Sequence, residues 1–393
     1  MGMFDGVKVI DFTHAYSGPF CTLNLADYGA EVIKIERVDG GDQARSWGPF
    51  KNDYSVYYAS FNRGKKSITL NIASEEGKKI IFDLVKDADI VCSNFKAGTL
   101  EKYGIGYDEI SKIKPDIIYA TLSGFGTKGE LSKFAAYDNV IQAMSGIMDL
   151  NGFADKGSTK IGPAIGDSYS GLMLLIGIAI AYYNRLMTGK GQQVDATMLG
   201  SLYTMLEYPI LEYANMGKCL TRSGNTSPYY APGDCYKVKD GYVALSVKND
   251  DMWRVFCEIT SINPEGENGK FKTNELRLKN VKELNAIITE RFSNLTRKEI
   301  EKLFENTNIP VAGVIDISEA LEDKHLIERD MVIKVDDPVA GEVKLVGNPI
   351  KLSENKPITN IPSPTLGQHT DLILKELGYT DNEIKILHDK KVV

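Results

Sequence analysis

Asp167 is the residue whose type and surroundings most directly suggest chemistry. It lies in the run 165–171, between Gly166 and Ser168, just before an apolar stretch predicted to be helical, 172–183. Small neighbours let a substrate carbonyl approach the carboxylate, and free backbone N–H groups at a helix start would favour negative charge beside it. A carboxylate in this setting can act as a nucleophile. The alternative is that Asp167 only caps the helix, because Asp is a preferred N-cap residue.

Short β-rich runs alternate with helical patterns in the first half of the chain. The runs are 7–12, 18–28, 31–36, 67–72, 75–86, 89–95 and 116–122. This alternation is typical of βαβ units and predicts an α/β fold with a Rossmann-like, mostly parallel sheet. Ligands bind beyond the carboxyl ends of such strands, so the loops 14–19, 94–98 and 123–126 are expected to share one crevice. The first of these loops lacks the G-x-G-x-x-G fingerprint, which argues against NAD.

The length of 393 residues suggests two domains, and 43% hydrophobic with 25% charged residues is typical of a soluble globular protein. Near residue 225 the pattern changes to hairpins and helices, which predicts a smaller α+β domain. The predicted division is a large α/β domain at 1–200, a linker at 201–224, the small domain at 225–330 and a C-terminal segment at 331–393 that returns to the large domain.

Composition excludes several functions. The net charge of -7 provides no basic field for nucleic acid, so an anionic ligand would need a local cluster of Lys and Arg. Five scattered cysteines without CxxC spacing argue against a disulfide framework or a metal site. No secretory signal pattern opens the chain, which favours the cytoplasm. The most apolar stretch, 172–181, is much shorter than the roughly 20 residues of a membrane span and is predicted to be a buried core helix.

Short motifs occur in order along nearly the whole chain. They are GVKVIDF at 6–12 followed by Gly18-Pro19, GAEVIKIE at 29–36, Asn62 with KKS at 65–67, Asn94-Phe95, SGFG at 123–126, YDN at 137–139 with Gln142, Gly166-Asp167, TGKGQ at 188–192 and GQHT at 367–370. In this order and at this spacing they resemble the class III CoA-transferases, the family of formyl-CoA:oxalate CoA-transferase and carnitine CoA-transferase.

The resemblance implies that Asp167 attacks an acyl-CoA thioester to form a mixed anhydride and release the CoA thiolate. The thiolate then attacks the anhydride to give an aspartyl-CoA thioester, and the acceptor acid enters by the reverse route. No permanently bound cofactor and no metal are implied, and CoA is a substrate. Asp138 is expected to support Asp167 or a nearby loop, with a simple N-cap of 139–148 as the alternative. Candidate oxyanion donors are the helix start after Asp167 and the backbone N–H groups of Gly124, Phe125 and Gly126.

The resemblance also implies contacts to the substrates. The implied CoA contacts are Ala15, Tyr16, Arg37, Leu70, Asn94, Phe95 and Lys102. Arg37 and Lys102 carry the charge to bind phosphates, the alternative being ordinary solvated surface charges. His14 is expected to be structural. Tyr229 and Tyr230 are candidate residues of the acid pocket, where they would face a quaternary ammonium or an apolar acyl chain, or else ordinary packing residues.

Two departures within the family bear on the substrate. Tyr16 stands where the formate/oxalate enzymes have glutamine, and 225–232 resembles the aromatic version of the carnitine enzyme, which favours an acid bulkier than oxalate. The related α-methylacyl-CoA racemases pair the aspartate with a histidine where this chain has Tyr137. A tyrosine, with a pKa near 10, is a poor base near neutrality, so racemisation is the second interpretation. A non-catalytic acyl-CoA-binding subunit is a third. The resemblance implies an interlocked homodimer without nucleic-acid or membrane partners.

Overall fold

A computed structural model of the chain describes residues 2–393. It divides into two compact units. The first comprises the chain up to Ile147, Lys160–Met216 and Lys324–Val393, and the second comprises Met148–Thr159 and Gly217–Asp323. The segment 148–159 therefore belongs to the second unit, which the predicted division did not include. Of the predicted linker at 201–224, the part up to Met216 is mostly helical and belongs to the first unit, and the rest belongs to the second.

The strands are β1 (Lys8–Asp11), β2 (Glu31–Glu36), β3 (Phe50–Lys51), β4 (Tyr54–Ser55), β5 (Lys66–Thr69), β6 (Ile90–Ser93), β7 (Ile118–Ser123), β8 (Gln192–Thr197), β9 (Gly233–Val238), β10 (Gly241–Ser246), β11 (Val311–Gly313), β12 (Val332–Asp337) and β13 (Gly341–Val346).

The helices are α1 (Ser17–Asp27), α2 (Val56–Asn62), α3 (Glu75–Lys86), α4 (Thr99–Lys102), α5 (Tyr107–Ile113), α6 (Asp138–Ser145), α7 (Ile147–Leu150), α8 (Ile165–Thr188), α9 (Met198–Thr204), α10 (Glu207–Met216), α11 (Asp250–Thr260), α12 (Asn274–Lys279), α13 (Val281–Phe292), α14 (Arg297–Phe304), α15 (Ile317–Leu321), α16 (Lys324–Glu328), α17 (Thr370–Glu376) and α18 (Asp381–Asp389).

The first unit is built on a six-stranded parallel sheet in the order β5-β2-β1-β6-β7-β8. This is the strand order of a doubly wound Rossmann sheet, and it confirms the predicted α/β class. The order reverses between β1 and β6, and ligands of open α/β sheets bind at such a reversal, beyond the carboxyl ends of the strands. The loops after β1 and β6 therefore flank the position where a site is expected.

Local sequence explains why these elements form. Strands β1 and β6 are almost wholly buried and consist mainly of apolar residues, as expected for parallel strands covered on both faces. Helix α3 starts at the cap Ser74, whose hydroxyl accepts from the N–H of Gly77, and it buries a stripe that includes Ile80 and Leu84. The C-terminal helices α17 and α18 pack in the same core cluster as α3.

Helix α8 corrects one prediction from the sequence. It runs for 24 residues and therefore extends beyond the apolar stretch 172–181 on both sides. Gly189 follows its last residue with a φ of +70°, the left-handed backbone conformation that commonly ends a right-handed helix. Its most apolar 18-residue window has a mean hydropathy of 1.4 and is only 33% buried, so by length and composition alone the helix is long enough to cross a membrane. One side packs on α1, β7 and β8, whereas the other exposes large apolar side chains. The prediction of a buried core helix was wrong because the apolar run covers both faces of the helix.

The second unit is a small α+β unit with its own core. Its antiparallel sheet has the order β11-β10-β9, and a two-residue turn at Lys239-Asp240 joins β9 to β10 in a hairpin. Helices α11, α13 and α14 contribute an aromatic core in which the rings of Phe256 and Phe304 stack at 5.7 Å. These apolar contacts make the unit compact by itself.

Candidate active site

A cavity of about 930 Å³ lies in the first unit and is lined by residues from the loops after β1, β2, β5, β6 and β7. All of these loops follow the carboxyl ends of parallel strands, where the strand order predicts a ligand crevice. Asp167 lines this cavity together with Tyr137 and Met198. A volume of this size is within the range of pockets that hold cofactor-sized ligands.

Asp167 is the third residue of α8, and the residue before the helix is Ala164. Asp167 therefore does not cap the helix. Asp138 likewise is the first residue of α6 rather than its N-cap, and its carboxylate connects the two helices. Its Oδ1 accepts from the N–H of Gly166 at 2.7 Å, and its Oδ2 accepts from Nε2 of Gln142 at 2.8 Å. Asp138 thus fixes the turn that carries Asp167.

The backbone groups around Asp167 differ from the prediction of free N–H donors. The N–H of Ile165 donates to the carbonyl of Pro163, that of Gly166 to Asp138, and that of Ser168 to the carbonyl of Ala164. These three N–H groups are therefore already hydrogen bonded within the protein.

One of the predicted oxyanion donors in the loop after β7 is also already hydrogen bonded. The N–H of Gly126 donates to Oγ of Ser123 at 2.9 Å, so it is occupied as well. Gly124 and Phe125 line the cavity, whereas Gly126 does not. A side chain at Gly124 would come within 2.3 Å of Cβ of Ala136, which explains the need for glycine there.

Burial raises the pKa of Asp167 to about 6, and the negative charge of Asp138 adds to the rise. A hydrogen bond from the Ser17 side chain opposes both effects. The carboxylate is consequently ionised at pH 7 but poorly solvated. Partial desolvation of this kind makes a carboxylate more reactive toward an electrophilic carbonyl than one in free water.

The acid limb of activity should report this pKa. We expect kcat/KM to fall about tenfold per pH unit below about pH 6, because the reaction implied by the family resemblance uses ionised Asp167 as nucleophile and protonation removes that form. In Asp138→Asn the limb should move to lower pH, since the variant removes the charge that raises the pKa and keeps an oxygen for the Gly166 N–H. The measurement is kcat/KM from pH 4.5 to 8, with circular dichroism to verify folding. A profile that stays flat down to pH 4.5 would contradict this assignment.

Asp42 holds the loop after β1 in place. Its Oδ1 accepts from the N–H groups of Ala15 at 3.1 Å and Ala44 at 2.9 Å, and its Oδ2 lies 2.9 Å from Nζ of Lys34. Lys34 also donates to the carbonyl oxygen of Thr13 at 2.6 Å. Both charged side chains are fully buried. Burial, the largest single effect, would raise the pKa of Asp42, but Lys34, His14 and the two backbone hydrogen bonds together outweigh it and hold that pKa far below its usual range. This ion pair keeps Ala15 at a φ of +66°, where a side chain is strained.

Asn94 clamps the same loop from the end of β6. Its Oδ1 accepts from the N–H of His14 and its Nδ2 donates to the carbonyl of His14, both at 2.8 Å. Nδ2 also lies 3.3 Å from Oγ of Ser17, the residue that hydrogen bonds to Asp167. Burial, with Lys34 nearby, lowers the pKa of His14, so its imidazole is neutral near pH 7. Hydrogen bonds thus link the loops after β1 and β6, where the strand order reverses, to Ser17 and through it to the carboxylate of Asp167.

The structure brings most of the predicted CoA contacts into the cavity wall. Those that line it are Ala15, Arg37, Leu70, Asn94 and Phe95. Lys102 and Tyr16 do not line it. Lys102 is exposed at the end of α4, while Tyr16 is half-buried, stacks on Phe61 at 4.4 Å and hydrogen bonds to Ser168. Tyr16 thus packs against other side chains, although its neighbours Ala15 and Ser17 both line the cavity.

The two predicted acid-pocket tyrosines belong to the second unit. Tyr229 is 42% exposed. The Tyr230 hydroxyl lies 3.1 Å from Oγ of Ser246, and Nζ of Lys248 lies 5.9 Å from its ring centroid.

Three residues near the cavity were missed in the sequence analysis. Ser17 hydrogen bonds to Asp167, and Tyr57 lies close enough for the Asp167 charge to raise its pKa, after the larger effect of burial. Lys96 lines the cavity directly after the Asn94-Phe95 pair. Ser17 and Lys96 could have been found from the sequence, because they directly follow the predicted contacts Tyr16 and Phe95. Nothing local marks Tyr57, which reaches the site through the packing of α2.

Comparison with known proteins agrees with this geometry. Residues 4–370 match the model of CoA-transferase family III. Human succinyl-CoA:glutarate CoA-transferase is 36% identical over 391 residues, covering 99% of this chain and 89% of that protein. Acetyl-CoA:oxalate CoA-transferase of Acetobacter aceti is 35% identical over 379 residues, covering 96% of each. A crystal structure of a CAIB/BAIF family protein from Brucella suis superposes with a TM-score of 0.85 at 33% identity, covering 96% of this chain and 99% of that one.

The parallel α/β sheet places a partly buried carboxylate beside a cofactor-sized cavity, an arrangement suited to an enzyme. The chain belongs to CoA-transferase family III, and its chemistry is the transfer of CoA.

Proposed function

We propose that this enzyme moves CoA from an acyl-CoA to a free carboxylic acid through covalent intermediates on Asp167. The observation that carries the proposal is the setting of this carboxylate. It lines the cavity, is mostly shielded from water, and has a pKa near 6 that leaves it ionised at neutral pH. A carboxylate that is both charged and poorly solvated is suited to attack a thioester carbonyl.

The proposed cycle keeps the energy of the thioester in covalent form. Asp167 Oδ attacks the thioester carbonyl, the C–S bond breaks, and the CoA thiolate leaves behind an aspartyl anhydride. The thiolate then attacks the aspartyl carbonyl of the anhydride, and the donor acid departs as a carboxylate. The acceptor carboxylate attacks the resulting aspartyl thioester, and the thiolate returns to the acyl carbon of the new anhydride. Exclusion of water protects both intermediates from hydrolysis.

The cavity can hold CoA along the row of carboxyl-terminal strand ends, which is called the sheet edge below. Neighbouring strands are about 4.8 Å apart, so the end of β5 lies roughly 19 Å from the end of β7. The loop after β7 stands at one end of this row of strand ends and Arg37, after β2, stands near the other, while Asp167 hydrogen bonds to Ser17, which follows β1 between them. We propose that the thioester lies at Asp167 and that the nucleotide end lies near Arg37.

We propose a dicarboxylic acid of four or five carbons as one substrate. The human relative is named for succinyl-CoA and glutarate, and the Acetobacter relative for oxalate. The segment 225–232 favours an acid bulkier than oxalate. The test is to incubate the enzyme with succinyl-CoA and a panel of free acids, including glutarate, oxalate and carnitine, and to follow acyl-CoA products by mass spectrometry. Exchange with glutarate should be fastest, and exclusive use of a monocarboxylic acid would contradict the proposal.

Racemisation is the second candidate function, because the aspartate is shared with α-methylacyl-CoA racemases. Proton exchange at the α-carbon needs two positioned acid/base groups, and this chain has Tyr137 where those relatives have histidine. We therefore expect no deuterium at the α-carbon when a 2-methylacyl-CoA is incubated in deuterated water without acceptor acid. Rapid incorporation that depends on Asp167 would overturn the transferase proposal, and Tyr137→Phe would then test the tyrosine as second base.

We also propose that the enzyme is a homodimer. The exposed side of α8 presents Ile176, Ile180, Tyr183 and Met187, spaced by four, three and four residues and each at least half exposed. Apolar side chains at this spacing form one continuous stripe, which is typical of an interface rather than a free surface. Light scattering should give twice the chain mass of 43.4 kDa, and Ile180→Lys should lower it. A monomer in the wild type would contradict the proposal.

A further inference from the structure

Lys391 occupies an unusual backbone position at the end of α18. The N–H of Lys391 donates to the carbonyl of His388 and the N–H of Val392 to that of Leu387, both at 2.9 Å. This pair of hydrogen bonds is the Schellman motif that ends many helices. The motif requires a left-handed residue, usually glycine, and Lys391 fills it with a φ of +56°. A lysine there is strained, and such strain often marks a functional position.

The tail that carries Lys391 is fixed against the sheet. Val392 and Val393 are 3% and 5% exposed and belong to the main core cluster. The carbonyl of Val392 accepts from the N–H of Asn71 at 2.7 Å, just beyond β5. Lys391 is therefore held beside the residues that follow β5, and it lines the cavity with Asn71.

Lys391 is one of three cations on the cavity wall, with Arg37 and Lys96. Within residues 2–393 none of the three forms an ion pair with a carboxylate, whereas the neighbouring Lys390 pairs with Glu76 at 2.9 Å. Asp39 and Asp167 are the acidic residues among the lining side chains. Unpaired cations that converge on one cavity are the electrostatic arrangement that binds a polyanionic ligand.

We propose that Lys391 binds a phosphate of the nucleotide end of CoA. The inference rests on the proposed placement of CoA along the sheet edge, with the thioester at Asp167. Lys391 adjoins the end of β5, which is the end of that edge farthest from the loop after β7. The contact is remote from the reacting carbonyl, so it acts on acyl-CoA binding and not on the free acid.

The experiment compares Lys391→Gln, Lys391→Gly and Lys391→Arg with the matched control Lys390→Gln, which removes the same charge one residue away. Lys391→Gln should raise KM for acyl-CoA about tenfold at low ionic strength, with KM for the free acid unchanged. Lys391→Arg keeps the positive charge and should restore most of the affinity for acyl-CoA. Lys391→Gly should weaken acyl-CoA binding equally while raising the melting temperature, because glycine relieves the left-handed strain. A variant that is more stable but binds less tightly separates the binding role from a structural one.

A second substrate identifies the phosphate. If the variant leaves KM for a 3′-dephospho-acyl-CoA unchanged, Lys391 binds the 3′-phosphate, and an equal rise for both thioesters assigns it to the diphosphate. Each result supports the inference. An unchanged KM for acyl-CoA in Lys391→Gln, or an equal rise in Lys390→Gln, would overturn it. Direct calorimetric binding of CoA to Asp167→Ala and to Asp167→Ala/Lys391→Gln tests the contact without turnover, so failure of the transfer mechanism remains distinguishable.

Discussion

Asp167→Ala is expected to abolish CoA exchange, lowering kcat by about 10⁴-fold or more, because it removes the proposed nucleophile on which both proposed covalent intermediates form. CoA should still bind with nearly wild-type affinity, since the proposed phosphate contacts, Arg37 and Lys391, do not involve Asp167. The measurement is the exchange of labelled glutarate into glutaryl-CoA, with Asp389→Ala on α18 as an exposed control. Exchange at a near wild-type rate would contradict the mechanism.

Asp167→Ala should increase the stability of the protein, although it abolishes activity. The folded pKa of Asp167 is about 6, above its ordinary value of 3.8. The ionised form is thus disfavoured in the folded protein, and the group's stabilising contribution, complete below pH 3.8, is lost as the pH rises through 6. Asp167→Ala should therefore raise the free energy of unfolding at pH 8 by up to about 3 kcal/mol, and the gain should disappear near pH 4. Denaturant melts at both pH values measure this.

Asp42→Ala should destabilise the protein by about 3–5 kcal/mol, because it leaves the charge of Lys34 buried without its partner. Ala15 and Ala44 would also lose the acceptor of their N–H groups. We expect a large fall in the free energy of unfolding. Asp39→Ala, an exposed carboxylate three residues away, should change stability by less than about 0.5 kcal/mol. A similar small effect in both variants would show that the ion pair does not hold the loop.

In the Asp42→Ala protein that remains folded, the loop after β1 should lose its strained conformation. Ser17 begins α1 two residues after Ala15 and hydrogen bonds to Asp167, so the pKa of Asp167 should rise further when that bond weakens. The acid limb of kcat/KM is then expected at a higher pH than in the wild type. This shift separates loss of positioning from loss of folded protein.

Much of the parallel sheet was predictable because its strands carry a strong local signal. Buried parallel strands are continuous apolar runs, and the predicted limits 31–36 and 75–86 coincide with β2 and α3. Strand β8 was not predicted, because Gln192–Thr197 is mostly polar, with Val194 and Ala196 as its apolar residues, and its formation depends on pairing with β7. Helix α8 was predicted too short because its flanks 165–171 and 184–188 are not uniformly apolar, although nothing in them breaks a helix.

Asp167 was predictable from its own surroundings, whereas the family resemblance implied the CoA contacts. Ala15, Arg37 and Leu70 each lie just beyond a strand, and all three line the cavity. The role of Asp42 was not visible in the sequence, because a buried ion pair with Lys34 depends on contact between β2 and a later loop. Lys391 is separated from Arg37 by almost the whole chain, and only the return of the C-terminal segment to the sheet brings them to one cavity.

The most direct test of Asp167 as nucleophile is to trap its covalent intermediate. The enzyme is mixed with succinyl-CoA without acceptor acid and quenched with hydroxylamine, which converts an activated aspartyl group to a hydroxamate. Peptide mass spectrometry should then find the modification on Asp167 in the wild type and nowhere in Asp167→Ala. A modification that maps to another residue, or turnover without any trapped species, would contradict covalent catalysis at Asp167.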